Sequence, residues 1–229
     1  YMKWLINFFT SSIGRKLIMS LTGLFLILFL VVHLIGNLQL LKDDGGVAFN
    51  AYAYFRTNNP LIKTVAYGNY FFIVLHAFMG ILIWFKNKAA KGSSYAVRSN
   101  AEVTWASKNM ALLGTLILAF IFIHMGDFWF KMKMDVVPYI AIEGMDHTVK
   151  DLYSQVAHTF DNPLMVAAYV VGLATLSFHL WHGFQSAFQT LGINHPKYTP
   201  IIKGLGKLYA VIVPLGFAII PLYYFFVMK

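Results

Sequence analysis

Residues Leu17–Leu38 read LIMSLTGLFLILFLVVHLIGNL, an apolar run with no Asp, Glu, Lys or Arg and a single histidine, His33, toward its end. About 20 apolar residues are what a helix needs to cross the ~30 Å hydrocarbon core of a bilayer. Inside that core every backbone N–H and C=O has to be satisfied within the segment, so the run reads as a transmembrane α-helix. Arg15 and Lys16 precede it but no small-residue cleavage site follows, so it is expected to remain as a span and not to be removed as a signal peptide.

Working outward, similar runs recur, and five spans are expected: Lys16–Leu41, Leu61–Phe85, Lys108–Phe130, Asn162–Gln189 and Gly204–Val227. The last contains Pro214 and Pro221, which membrane helices tolerate where neighbours satisfy the freed backbone groups. Composition agrees. Of 229 residues 59% are hydrophobic and 12% charged, at a mean hydropathy of +0.63, against about 25% charged in soluble domains. The expected fold class is an all-α membrane protein of one domain, residues 1–229, with five transmembrane helices, four of them a bundle around a cofactor.

Cysteine is absent, which excludes disulfides, thiolate-ligated iron–sulfur clusters and covalently attached c-type haem. No G-x-G-x-x-G or P-loop fingerprint occurs, so no nucleotide site is expected. The net charge of +9 would suit nucleic acid only if the cations clustered on a soluble face; here they lie in loops between spans and report topology. The N-terminus and the second and fourth loops carry Lys3, Arg15, Lys16, Lys86, Lys88, Lys91, Arg98, Lys108, Lys197, Lys203 and Lys207 against one acid, Glu102. The other side mixes Lys42, Arg56, Lys63, Lys131, Lys133, Lys150 and Lys229 with eight acids. The cation-rich side is expected in the cytoplasm, with the N-terminus inside and the C-terminus outside.

Ionisable residues within a membrane are costly and therefore point to function. Helices one to four each offer one histidine within the span: His33, His76 in VLHAFMG, His124 in FIFIHMGDFW and His179 in SFHLWHGF. At ~1.5 Å per residue, His33 and His124 lie roughly 25 Å from the cytoplasmic ends of their helices, and His76 and His179 roughly 15 Å. Antiparallel helices thus bring the histidines to two levels, two at each. Paired imidazoles at one depth are what bis-histidine haem requires, so two b-type haems are expected: His76 with His179 on the cytoplasmic side, His33 with His124 on the outer side. Gly80 and Gly183 follow their histidines by four residues on the same helix face, with Gly36 and Gly126 at less regular spacing. They either clear space for a macrocycle or serve close helix packing. His182, three residues from His179, is read as a hydrogen-bonding residue instead of a second ligand.

The segments SSIGRKLIMSLTGLFLILFLVVHLIGNL (Ser11–Leu38) and HGFQSAFQTLGINHPKY (His182–Tyr198) resemble the first and fourth helices of the single-chain, five-helix, di-haem cytochrome b558 anchor of succinate dehydrogenases and fumarate reductases. The resemblance covers the whole chain. It implies axial ligands from helices one to four, with one paired to three and two to four: His33 with His124, His76 with His179. It favours His179 over His182, because Gly183 and Gly192 stand where the family places glycines after its ligand. It also implies a propionate-binding serine in helix one, where Ser20 stands, although a hydroxyl bonded back to its own helix serves equally. Arg15, Lys16 and Trp105 either reach the same propionates or anchor the helix ends at the interface.

The function so implied is electron transfer between quinone, menaquinone in many members of that family, and a flavoprotein and iron–sulfur subunit docked on the cytoplasmic face around Lys86–Arg98 and His195–Lys207. No succinate chemistry is expected in this chain, and a bacterial cytoplasmic membrane is the expected location. Asp127, one turn beyond His124, is a candidate for quinone or proton handling, or a partner of Lys131 at i+4. Glu143, His147 and His158 are secondary proton-path candidates. Two other readings share parts of this pattern: a di-haem anchor of a different respiratory dehydrogenase, and a histidine-relay transporter without haem.

Overall fold

Two N-terminal helices meet at Ser11. Helix α1 (Lys3–Thr10) stops there, and the Ser11 hydroxyl accepts from the Gly14 amide at 2.9 Å, capping α2 (Ser12–Asn37). A Cβ on Gly14 would come within 1.9 Å of the Phe8 carbonyl oxygen, so only glycine fits this corner. The computed structural model describes residues 2–91 and 105–228. Arg98, Glu102 and Lys229, used above for orientation, lie outside the described residues, as does the side chain of Lys91.

Helix α2 tightens into a 3-10 turn (Leu38–Leu41) and is followed by α3 (Val47–Asn58), α4 (Pro60–Lys91), α5 (Trp105–Lys108) and α6 (Met110–His124). A π-helical turn (Met125–Phe130) continues α6 into α7 (Lys131–Lys133). Strands β1 (Tyr139–Ala141) and β2 (Thr148–Lys150) come next, then α8 (Leu152–Phe160), α9 (Pro163–Thr190) and α10 (Thr199–Phe226). Five helices are long and apolar enough to cross a membrane: Ser12–Leu41, Pro60–Ala89, Met110–Lys133, Pro163–Thr190 and Thr199–Phe226. The first begins earlier than Lys16 because Ser11 caps it. The last begins at Thr199 and not Gly204, because Pro200 sits in its first turn, where a missing N–H costs nothing.

Helix α9 is the centre of the bundle, packed along α10, α2 and α6, whereas α4 leans chiefly on α2. Prolines leave a visible trace in this packing. Pro214 cannot donate to the carbonyl four residues before it, that of Ala210. Ser177 of α9 donates to that carbonyl at 2.6 Å, so the freed acceptor stays satisfied inside the apolar layer. Tyr209 and Tyr224 of α10 tie the same helix to α2 and its 3-10 extension, donating to the Ile27 and Leu40 carbonyls at 2.6 and 3.1 Å. On the opposite flank α4 turns Leu61, Val65, Phe71, Val74, Phe78 and Ile81 outward, each 47–73% exposed. An apolar stripe of this length suits contact with hydrocarbon, not water.

Stretches read from the sequence as loops are ordered at the end opposite α1. There α3, the β-hairpin and α8 form a cap, and the all-helical expectation is amended by β1 and β2, which pair antiparallel with Ile140 opposite Val149. Strands of three residues are too short for alternation to reveal. Asn50, fully buried in α3, donates to Asp151 Oδ1 at 2.9 Å and accepts from the Tyr153 amide at 3.0 Å, joining α3 to α8. Asp151 also caps α8 through the Ser154 amide. Burial pushes the Asp151 carboxyl up, but the hydrogen bonds from Ser154 and Asn50 outweigh it and hold it below the usual carboxylate range.

At the hairpin's edge Asp135, in the left-handed region (φ 59°), pairs with Lys150 at 2.7 Å and accepts from Tyr139 OH at 2.8 Å; the Lys150 ammonium also donates to the Met132 carbonyl. The Lys150 and Tyr139 hydrogen bonds depress the Asp135 carboxyl, and Asp135 in turn raises the Lys150 ammonium. A depressed carboxylate stabilises the fold above its unfolded value of 3.8 and loses that contribution as pH falls through the folded value. A raised lysine contributes below 10.5 and loses its share as pH rises through the folded value. Amide exchange in the hairpin is therefore expected to be flat from about pH 5 to 9 and to quicken, relative to intrinsic rates, only below about pH 4. Asp135→Asn keeps the left-handed turn and should abolish that acid dependence.

Candidate functional site

His33 of α2 and His124 at the end of α6 face one another with ring centres 5.8 Å apart and planes at 81°. His76 of α4 and His179 of α9 do the same at 6.2 Å and 70°. All four line one elongated cavity of about 2470 Å³ between α2, α4, α6 and α9, well beyond the ~300–1,000 Å³ of a site for one small molecule. Its wall is mostly aliphatic and aromatic.

Neighbouring side chains steer one imidazole of each pair. The Thr22 hydroxyl donates to the Ile18 carbonyl at 2.8 Å and lies 3.1 Å from His76 Nδ1. The hydroxyl thus holds the His76 ring in place from its Nδ1 side. Gly23 beside it makes room: a Cβ there would stand 3.3 Å from His76 Cε1. On the other level Asn37 Nδ2 lies 3.3 Å from His33 Nδ1, and the Phe29 and Phe217 rings brace the imidazole at 5.2 and 5.4 Å. His124 is set among Phe120, Phe128 and Tyr169. The Nδ1 atoms of His124 and His179 are buried without a hydrogen-bond partner. In each pair, one imidazole thus has a buried nitrogen that no described protein group satisfies.

These distances admit a test. An imidazole nitrogen sits about 2.0–2.1 Å from its metal, and a ring centre lies roughly 1.1 Å farther, so two imidazoles on one metal have centres about 6.3 Å apart. The observed 5.8 and 6.2 Å admit one metal between each pair, and they also fall within the ~4.5–7 Å of ordinary edge-to-face ring contact. Among the described residues no group of three or more His, Cys, Asp or Glu side chains can hold a metal ion. Two opposed imidazoles suit a metal that brings its own in-plane ligands, as porphyrin iron does.

The remaining expected residues divide. His182 is half-buried on the cavity wall one turn from His179, and Lys16 also borders it; Arg15 and Trp105 do not. Ser20 is buried on the wall, but its hydroxyl donates to the Lys16 carbonyl at 3.0 Å; the acceptor capacity left to it is of no use to an ionised carboxylate. Gly80 and Gly183 border the cavity, whereas the space beside Gly36 is taken by the Tyr52 ring and Gly126 stands off the wall. Asp127, in the π turn, pairs with Lys131 at 3.7 Å and accepts from Tyr169 OH at 3.4 Å, touching the His33–His124 level only through Tyr169. Glu143 and His158 are exposed on the cap, and His147 stacks on Tyr54 at 4.3 Å; none lines the cavity.

Sequence reading passed over Thr22, Gly23, Asn37 and Tyr52. The rise that put Ser20 at the His76 level puts Thr22 and Gly23 there as well, so depth was a usable signal for them. Tyr52 gave none, since its helix was read as a loop. Comparison with family models, with curated proteins and with solved structures finds no match to this chain.

Proposed function

We propose that this chain is the di-haem cytochrome b anchor of a succinate:quinone oxidoreductase in a bacterial cytoplasmic membrane, passing electrons between an iron–sulfur subunit and quinone, with menaquinone the favoured species. The observation that carries the reading is the pair of facing imidazole couples, each at the separation that one metal spans, stacked at two levels within a single apolar cavity. Succinate as the electron source rests on the resemblance carried by Ser11–Leu38 and His182–Tyr198.

His76 with His179, and His33 with His124, are the residues that would hold the two haems. Bound there, the haems supply one-electron chemistry at two depths of the bilayer. The chain's own part is to hold and tune. Thr22 holds the His76 ring, the apolar wall excludes water, and the phenyl rings around His124 and His33 keep those imidazoles in place. Asp127, held between Lys131 and Tyr169 at the capped end, is the group placed to exchange a proton with quinone. The amino-terminal end, with Lys86, Lys88, Lys108, Lys197, Lys203 and Lys207, is the cytoplasmic docking face for the flavoprotein and iron–sulfur subunits.

Purified chain should carry two b-type haems and copurify with a flavoprotein that reduces quinone with succinate. A reduced-minus-oxidised spectrum without a b-type band would sink the haem reading, and a nickel or molybdenum partner would redirect it to another dehydrogenase. Thr22→Val, which keeps the shape but removes the hydroxyl beside His76 Nδ1, is expected to weaken haem retention at the His76–His179 site by about 10–100-fold. Thr22→Ser should retain it, as followed by haem transfer to an apo-globin acceptor.

A further inference from the structure

The cavity wall carries charge only at its two ends, and of one sign. Lys16, Lys88 and Lys108 border it at the amino-terminal end, Arg56, Lys63 and Lys133 at the capped end, and no Asp or Glu is among its described lining residues. Lysines near helix ends reach toward water along their own stems. Arg56 is different. It ends α3, half-buried, with its guanidinium carbon 5.5 Å from the centre of the Tyr52 ring. Tyr52 lies on Gly36, close enough that a Cβ there would come within 2.4 Å of the ring, and Gly36 is three residues beyond His33. His33, Gly36, Tyr52 and Arg56 thus form one continuous strip of the wall.

Among the described residues the ion pairs are Asp127–Lys131 and Asp135–Lys150, and no carboxylate pairs with Arg56. Half-buried over the Tyr52 ring, the Arg56 guanidinium has its donors free of any carboxylate among the described residues, at the edge of an apolar cavity. An anion on the occupant would pair with it, and the planar guanidinium fork matches a carboxylate better than any other side chain does.

We propose that Arg56 is the carboxylate-binding residue of the capped-end site: it takes the acidic side chains of the tetrapyrrole held between His33 and His124 and orients them toward the cap. This rests on the haem reading. To test it, full chain purified free of haem is titrated with haemin and with haemin dimethyl ester, in which both carboxylates are masked. Wild-type chain is expected to take up two haemins and to bind the diester about tenfold or more weakly at the capped-end site. In Arg56→Gln one of the two sites should lose haemin affinity to a similar extent and lose its preference over the diester. Arg56→Lys, which keeps the charge, should retain that preference. Unchanged discrimination at both sites in Arg56→Gln overturns the proposal. So does equal binding of haemin and diester by the wild type, a measurement that needs no variant to fold. Binding of neither by the wild type overturns the haem reading instead, so the two failures are told apart.

Discussion

Chain carrying His179→Ala is expected to retain one haem, not two, with the survivor at the His33–His124 level. The substitution removes one of the two imidazoles whose ring centres lie 6.2 Å apart and leaves His76 to hold its side alone. His182 cannot step in. Three residues along a helix turn a side chain about 60° away from the starting direction and raise it roughly 4.5 Å, so its imidazole reaches the amino-terminal rim of the cavity and not the space facing His76. His182→Ala should accordingly keep both haems. Pyridine haemochrome content per chain, with a redox titration to separate the two centres, reads both variants. Two haems in His179→Ala with one in His182→Ala would exchange the roles given to these residues. The change should be confined to one centre, because His33 and His124 are untouched.

The second large effect concerns the cap. Asn50→Leu preserves the size of a fully buried side chain but removes one of the hydrogen bonds to Asp151 Oδ1, which keeps that from the Ser154 amide, and leaves the Tyr153 amide without its acceptor. Losing two part-buried hydrogen bonds, one of them to a charged acceptor, is expected to cost about 1–3 kcal/mol. The loss should appear as a lower melting temperature in detergent and as earlier protease cleavage between β1 and β2. Asn50→Asp makes the contrast sharper. It keeps an acceptor for the Tyr153 amide yet sets a second carboxylate where the amide donated to Asp151 at 2.9 Å. Two carboxylates that close cannot both stay ionised, so one takes up a proton more readily than usual. The folded state then binds more protons than the unfolded one, and stability rises as pH falls. Asn50→Asp should be as fragile as Asn50→Leu near pH 8 and recover toward pH 5, where the leucine variant does not.

How far the sequence reaches can be seen in particular residues. The spans were legible because hydrocarbon tolerates so few alternatives: the run around His33 permits little besides a helix. The histidine couples were legible from counting rise along antiparallel segments, which needs no knowledge of side-chain contacts. Their steering residues are a different matter. Thr22 satisfies its own helix at Ile18 as any buried threonine does, and only the coordinates show that its remaining lone pairs face His76. The cap was illegible for a physical reason. Short elements such as α3 and α8 are fixed by long-range bonds, Asn50 to Asp151 across about a hundred residues, and local pattern holds no trace of such a partner. Gly36 makes the same point in reverse: beside a histidine it read as room for a macrocycle, and the structure fills that room with Tyr52 from the element that was read as loop.

The cavity between α2, α4, α6 and α9 has a thermodynamic corollary. If haem fills it as proposed, the bundle's stability is tied by mass action to that occupant. Each tenfold rise in free occupant above its dissociation constant adds about 1.4 kcal/mol to the folded state. Cells short of that molecule should therefore accumulate less of this polypeptide, even with its messenger unchanged, because turnover would remove the unfilled form first.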